Sequence, residues 1–281
     1  MIAVTGATGH VGRPLVRALA EAGQAVTAVS RGTAPVSLPN GTRHVRADLT
    51  APETLRPAFE GAESLFLHDG GAGGHGLDPR AVLHAAEDAG IRRVVLLSSQ
   101  GVATRPQSPS HGAVMRAAED AVRASGLDWT ILRPGGFASN AYAWAASVRA
   151  ERTVAAPFGD VGIPVIDPDD VAQVAAVALS KDEHAGRVYE LNGPAPVTPR
   201  QQAAAIGAAL GEPVHFVELT RAEAQAMMAA FMPEPVVETT LAVLGEPNAA
   251  ELRLSPDVER VLGRAPCSFA EWALRNVTAF R

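Results

Sequence analysis

The chain has 281 residues, 47% apolar and 19% charged, with a net charge of −6 and one cysteine, Cys267. That length and apolar share suit a large core with a smaller appended region and exclude a disordered chain. The acidic balance, without a basic run, argues against nucleic acid as a partner. The single cysteine leaves neither a disulfide framework nor a cysteine zinc cluster. No apolar run approaches transmembrane length, and the first strand begins at once, leaving no room for a signal peptide. A cytoplasmic protein with no membrane partner is expected.

Met1 to Gly12 carries the strongest local signal. A β-branched run, Ile2 to Thr5, ends in Gly6, Gly9 and Gly12. An amphipathic helix pattern follows, with Val11, Leu15, Ala18, Leu19 and Ala22 on one face. Strand, glycine turn and helix N-terminus in this order form a dinucleotide-binding pattern. Gly6 permits the turn, Gly9 lets a pyrophosphate approach the backbone, and Gly12 removes a side chain where helix meets sheet. Thr8, His10 and Val11 complete the turn, where free N–H groups and the helix dipole favour phosphate. Pro14 is tolerated in the first helical turn.

A second strand, Ala25 to Val29, ends at Ser30-Arg31. Sites selective for NAD usually place an acid near here for the ribose 2′-hydroxyl, whereas a guanidinium suits a 2′-phosphate. Arg31 therefore points to NADP, with NAD left open; its alternative is a solvated loop arginine. A third strand, His44 to Ala47, leads to Asp48, which would border the adenine or cap a helix starting near Pro52. Strand-helix alternation continues through Ser64 to Leu67, Pro79 to Ala89, Arg93 to Leu97, Gly112 to Ser125 and Trp129 to Leu132. Asp167-Pro168-Asp169-Asp170 opens a further helix, and a strand returns near 188–192.

Beyond Gly193 the pattern changes. Capping boxes at Thr198, Thr220 and Ser268 open helices, and His215 to Leu219 is the last strand expected. The fold class is α/β: a doubly wound parallel Rossmann sheet with a smaller, mostly helical C-terminal substrate-binding region. The division falls at 1–155 and 156–281, with the helical part closing over the strand ends.

Together, Val4-Thr5-Gly6-Ala7-Thr8-Gly9-His10-Val11-Gly12, Val94 to Ser99, Ser125 to Gly135 and Ile166 to Ala172 resemble the NmrA-like atypical branch of the short-chain dehydrogenase/reductase superfamily. The resemblance covers most of the first 195 residues and is loose beyond them. It implies NAD(P) binding at Gly6 to Val11, at Arg31 and at the loops after strands four and five, which hold His68 and Ser98. Pro134, Gly135 and Phe137 would lie near the nicotinamide. The Tyr-x-x-x-Lys proton relay of most superfamily reductases is missing. Neither Tyr142 nor Tyr189 has a lysine four residues on, and the relay positions fall on His111 and Met115. Lys181 is the sole lysine among 24 basic residues.

Ser99 matches the family's hydroxyl donor to a substrate carbonyl, with capping of the strand end as the alternative. His111 could transfer a proton near neutral pH or cap the helix that follows. The glycine-rich stretch His68 to His75 suggests a mobile loop. Its two histidines and Asp69 lack a third ligand on a rigid element, so no metal is expected. Tyr142 and Trp144 either line an aromatic pocket or pack, and Met228, in the Met227–Met232 cluster, is a pocket wall or core filling.

The expected function is an NAD(P)H-dependent oxidoreductase acting on a small apolar, aromatic or quinone-like molecule, with a natural-product pathway as one setting. The alternative is a non-catalytic NAD(P)-sensing regulator of the NmrA type. Oligomeric state is open.

Overall fold

The computed structural model of the protein describes residues 1–32, 38–68, 77–110 and 112–281. Its strands are β1 (Ile2–Val4), β2 (Val26–Ser30), β3 (Thr42–Arg46), β4 (Ser64–Leu67), β5 (Arg93–Leu97), β6 (Asp128–Pro134), β7 (Thr153–Pro157), β8 (Arg187–Leu191) and β9 (His215–Leu219). The first seven helices are α1 (Gly12–Glu21), α2 (Arg56–Phe59), α3 (Pro79–Asp88), α4 (Gly101–Thr104), α5 (Ala113–Ala124), α6 (Ala145–Glu151) and α7 (Pro168–Ser180). They are followed by α8 (Pro199–Leu210), α9 (Arg221–Ala229), α10 (Glu234–Gly245), α11 (Ala249–Leu252), α12 (Asp257–Leu262) and α13 (Phe269–Arg275).

Seven strands form one parallel sheet in the order β3-β2-β1-β4-β5-β6-β8. Strands covered on both faces read as continuous apolar runs, as Arg93–Leu97 does. On one face α1 and α7 bury Leu15, Leu19, Val171, Val174 and Leu179 against Val4, Phe66, Val95 and Leu132. On the other, α2, α3 and α5 bury Phe59, Leu83 and Val122 against Leu65, Val94 and Ile131. The strand order reverses between β1 and β4, and open α/β sheets bind ligands at the C-terminal strand ends beside such a switch.

The C-terminal region departs from the expected pattern in one element. It contains β7, which the sequence did not suggest, paired in parallel with β9 as a separate two-stranded sheet. Thr-Val-Ala-Ala-Pro lacks the alternation that marks a strand, and its partner lies far along the chain. The 155/156 division runs through one packed body. α7 covers the main sheet beside α1, β8 is its edge strand, and α12 packs on both α7 and β8. A second core joins α6, β7, α8 and α13 through Val148, Val154, Ile206, Phe269 and Trp272. The helix expected near Pro52 is a 3-10 turn, Pro52–Thr54, followed by the short α2. Among the described residues no helix is long and apolar enough to cross a membrane.

Candidate functional site

The turn after β1 is held from both sides. Ala7 N–H donates to Val29 O at 3.2 Å and Thr5 N–H to Phe66 O at 3.0 Å. The buried Thr5 hydroxyl donates to Phe66 O at 3.0 Å and accepts His68 N–H at 2.8 Å. Gly6 has φ +62°, and a Cβ there would lie 2.9 Å from His68 Nδ1. A Cβ on Gly12 would fall 2.1 Å from Gly6 O, so no side chain fits. Thr8, Gly9 and His10 face solvent. The N-cap of α1, Val11, makes no side-chain cap, so the helix N-terminus presents its dipole and N–H groups to an incoming anion. This cradle fits a pyrophosphate.

The corner at the end of β2 is more basic than expected. Arg31 is exposed at the end of β2, and Arg46 Nε donates to Arg31 O at 3.2 Å. His44 Nε2 lies 2.8 Å from Ser30 Oγ. Arg31, His44 and Arg46 thus come from the adjacent ends of β2 and β3. The signal for Arg46 was available, since His44 and Arg46 alternate on an edge strand and share a face. Asp48 Oδ1 does not cap the 3-10 turn at Pro52. That oxygen closes a local turn by accepting Thr50 N–H and Oγ1–H, each at 2.9 Å.

At the ends of β5 and β6 the side chains divide. Ser99, half-buried, accepts Gly101 N–H at 3.1 Å, the capping alternative. Ser98 is buried and donates to Glu119 Oε1 at 2.6 Å, so its hydroxyl points into α5 rather than toward a ligand. Pro134 is buried, and Gly135 N–H donates to Leu191 O at 2.9 Å. A Cβ on Gly135 would lie 2.8 Å from Gln100 Oε1. Phe137 is half-buried against the α1/α7 core. Met115 is buried in α5. His111 and Asp69 to Gly76 lie outside the described residues, and with them the expected proton donor and loop.

Tyr142 packs rather than standing open. Its ring stacks on His10 with centroids 5.2 Å apart and meets Trp272 edge-on at 5.1 Å. Its hydroxyl donates to Asn276 Oδ1 at 2.6 Å. Burial raises its pKa, helped by the nearby charges of Asp169 and Asp167, so it stays neutral. Met228 and Met232 are half-buried against Ala224, Val237 and Leu241 under α9 and α10, while Phe231 is exposed.

The 100–110 segment meets the α10–α11 cap through polar contacts. Arg105 grips Glu251 with two bonds of 2.8 and 2.9 Å and donates to Glu246 O at 3.0 Å. Asn248 Nδ2 donates to Thr104 O at 3.0 Å, Ser110 Oγ to Pro235 O at 3.1 Å, and Gln100 Nε2 to Ala250 O at 3.2 Å.

Among the described residues, Asp167, Asp170 and Cys267 bring three metal-ligating atoms together. Their carboxylates are already engaged. Arg275 pairs with Asp167, Arg264 donates to Asp170 at 2.6 Å, and Cys267 N–H donates to Asp170 at 2.7 Å. The group ties the start of α7 to the C-terminal segment.

A glycine cradle opening on a helix N-terminus, at the switch point of a parallel sheet, defines a dinucleotide-binding Rossmann protein. The chain belongs to the NAD(P)H-binding family, which it matches over residues 6–182. It is 34% identical over 281 residues to the (4-alkanoyl-5-oxo-2,5-dihydrofuran-3-yl)methyl phosphate reductase of Streptomyces griseus, spanning all of this chain and 99% of that one. It is 33% identical over 286 residues to the NAD(P)H azoreductase of Xenophilus azovorans, spanning 100% and 99%. Among solved structures, the NADPH complex of the Escherichia coli NADPH-dependent quinone oxidoreductase superposes with a TM-score of 0.78 at 25% identity, covering 98% of this chain and 99% of that one. The fold is that of the NmrA-like group, as the sequence resemblance implied.

Proposed function

We propose that the protein is an NADPH-dependent reductase of a small, apolar, electron-poor conjugated compound, a quinone or a related unsaturated carbonyl. The observation that carries this reading is an intact cofactor cradle combined with a buried Met115 where the family's relay lysine would stand. Without an ammonium group to lower a phenol pKa, hydride transfer to a simple ketone would leave a strongly basic alkoxide. A conjugated acceptor spreads that charge and needs less help from a proton donor. The acceptors named for three of the relatives, an alkanoyl-substituted oxo-dihydrofuran, an azo compound and a quinone, are of the conjugated kind.

The bound cofactor supplies the hydride. The chain's own residues do the rest. Gly6, Thr8, Gly9, His10 and Val11 receive the pyrophosphate at the N-terminus of α1. Arg31, with Arg46 and His44 beside it, receives the 2′-phosphate, and Pro134, Gly135 and Phe137 back the nicotinamide. Substrate lies between that segment and the α9–α10 cover carrying Met228, with Ser99 and His111 as the candidates to donate to its oxygen. Positioning and exclusion of water supply most of the rate.

The reading is tested by turnover with NADPH and NADH against quinones, unsaturated lactones and simple ketones. The expected result is a higher kcat/KM with NADPH, activity on conjugated acceptors, and little on ketones. Equal use of both cofactors removes the NADP preference. Faster turnover of simple ketones removes the assignment of acceptor. Gly12→Val, which drives a side chain into Gly6 O, serves as the control that binds no cofactor.

A further inference from the structure

Outside the cradle, one charge cluster is centred on a carboxylate sealed from solvent. Glu119 on α5 is 0% exposed. It accepts Arg133 Nε–H at 2.8 Å and Nη2–H at 2.7 Å, Arg123 Nη2–H at 2.9 Å and the Ser98 hydroxyl at 2.6 Å. Burial opposes its charge, but the donors outweigh that, and its carboxyl stays below the usual carboxylate range. Ionic clusters of this kind are expensive to desolvate. Apolar side chains of similar volume often serve stability as well or better, so stability alone does not account for the arrangement.

Its position suggests another role. Ser98 is the first residue after β5, and Arg133 is the last residue before Pro134 in β6. Just past the cluster, two backbone bonds hold the strand tips: Gln100 N–H to Pro134 O and Gly135 N–H to Leu191 O, each 2.9 Å. Ser99 and the Pro134–Phe137 segment begin there. Met115, one turn earlier, lies on the same face of α5 and is buried. One carboxylate therefore ties a helix to two strand tips at the point where the substrate side of the site begins.

We propose that Glu119 is a positioning residue. Acting through Ser98 and Arg133, it fixes the tips of β5 and β6 against α5, and so sets where Ser99 and Pro134–Phe137 stand relative to the nicotinamide. This rests on the reductase reading above. It also assigns Ser98 to the clamp rather than to the cofactor.

Two variants separate positioning from folding. Glu119→Met with Arg133→Met replaces the ion pair by apolar bulk, and Ser98→Ala removes one donor with little change in volume. Each is compared with wild type by NADPH affinity, by single-turnover hydride transfer, and by hydrogen exchange at the Gln100 and Gly135 amides. Both variants should bind NADPH as wild type does and exchange those two amides faster, while amides of the α1–α7 core keep their protection. Hydride transfer should slow about 10- to 100-fold in the double variant, the scale of a small misplacement of reacting groups. Should the double variant fail to fold, Ser98→Ala decides, with a smaller effect in the same direction. Unchanged exchange at both amides, or a wild-type hydride-transfer rate, overturns the proposal. If wild type itself reduces no acceptor, the reductase reading falls, and the exchange result still tells whether the clamp holds the strand tips.

Discussion

One face of the main sheet and its strand ends are covered on opposite physical plans. On one face, α7 meets α1 and the sheet through Leu15, Leu19, Val171, Val174 and Leu179, each at most 2% exposed. At the strand ends, α10 and α11 meet the 100–110 segment through Arg105, Gln100, Asn248 and Ser110, and the apolar cluster under α9 and α10 includes no residue of that segment. Apolar packing is indifferent to salt and fails only with the whole core. Charged and polar contacts at a half-exposed seam are weaker, screened by salt and separable from the rest. On the proposed reading, the rigid cover thus lies behind the cofactor and the separable one over the substrate side.

The largest effect should come from the apolar cover. Leu19→Ala is expected to cost about 2–5 kcal/mol of global stability, seen as a lower midpoint in urea with an unchanged slope. A loss confined to the exchange of a few α7 amides would mean that this face is not part of the common core.

Next comes the seam. Arg105→Ala removes two bonds to Glu251 and two to carbonyls at the end of α10, those of Ala242 and Glu246. It should lower the local opening energy of residues 234–252 by about 1.5–3 kcal/mol, read by hydrogen exchange, while the global midpoint moves less. Added salt should reproduce part of the effect in wild type. Equal loss in both readouts would erase the contrast between the covers.

How much of this was legible follows from the range of each interaction. The cradle could be read directly because Gly6, Gly9 and Gly12 act on one another within a few residues, as the 2.1 Å approach of a Gly12 Cβ to Gly6 O makes plain. The seam could not, since Arg105 and Glu251 are 146 residues apart and neither carries a local signature of the other. Tyr142 invited a pocket because aromatic residues near a nicotinamide loop often line one. Its partners Trp272 and Phe280, which claim it for packing, arrive from the far end of the chain. Glu119 was detectable in principle. Met115, Ala118, Glu119 and Val122 form the buried stripe of α5, and an acid on such a stripe asks for a buried partner.

A smaller effect is expected at the cofactor corner. Arg31→Ala should weaken NADPH binding about tenfold by titration with little change for NADH, a modest value because the side chain is exposed. Equal weakening of both would mean that Arg31 supports the loop and not the 2′-phosphate.

The smallest is an acid dependence seated away from the site. His184 is buried beside Tyr189, its Nδ1 2.8 Å from the Tyr189 hydroxyl, and burial lowers its pKa. The folded protein therefore favours the neutral ring. Its contribution to stability is complete above the ordinary histidine value of about 6.5 and is lost as the pH falls below it. A shallow fall in melting temperature on acidification, flattened in His184→Gln, is expected; an identical profile for the variant would place the acid sensitivity elsewhere.

The central claim is that the cradle holds a cofactor whose hydride leaves for a substrate under the polar cap. The most direct test is a single-turnover reaction in which protein saturated with NADPH is mixed, without oxygen, with a quinone. The account predicts stoichiometric loss of the NADPH absorbance at a rate that saturates with quinone, and a slower rate when the cap seam is cross-linked shut. Tight NADPH binding with no oxidation by any conjugated acceptor, together with markedly different affinities for NADPH and NADP, would contradict it and favour a cofactor sensor.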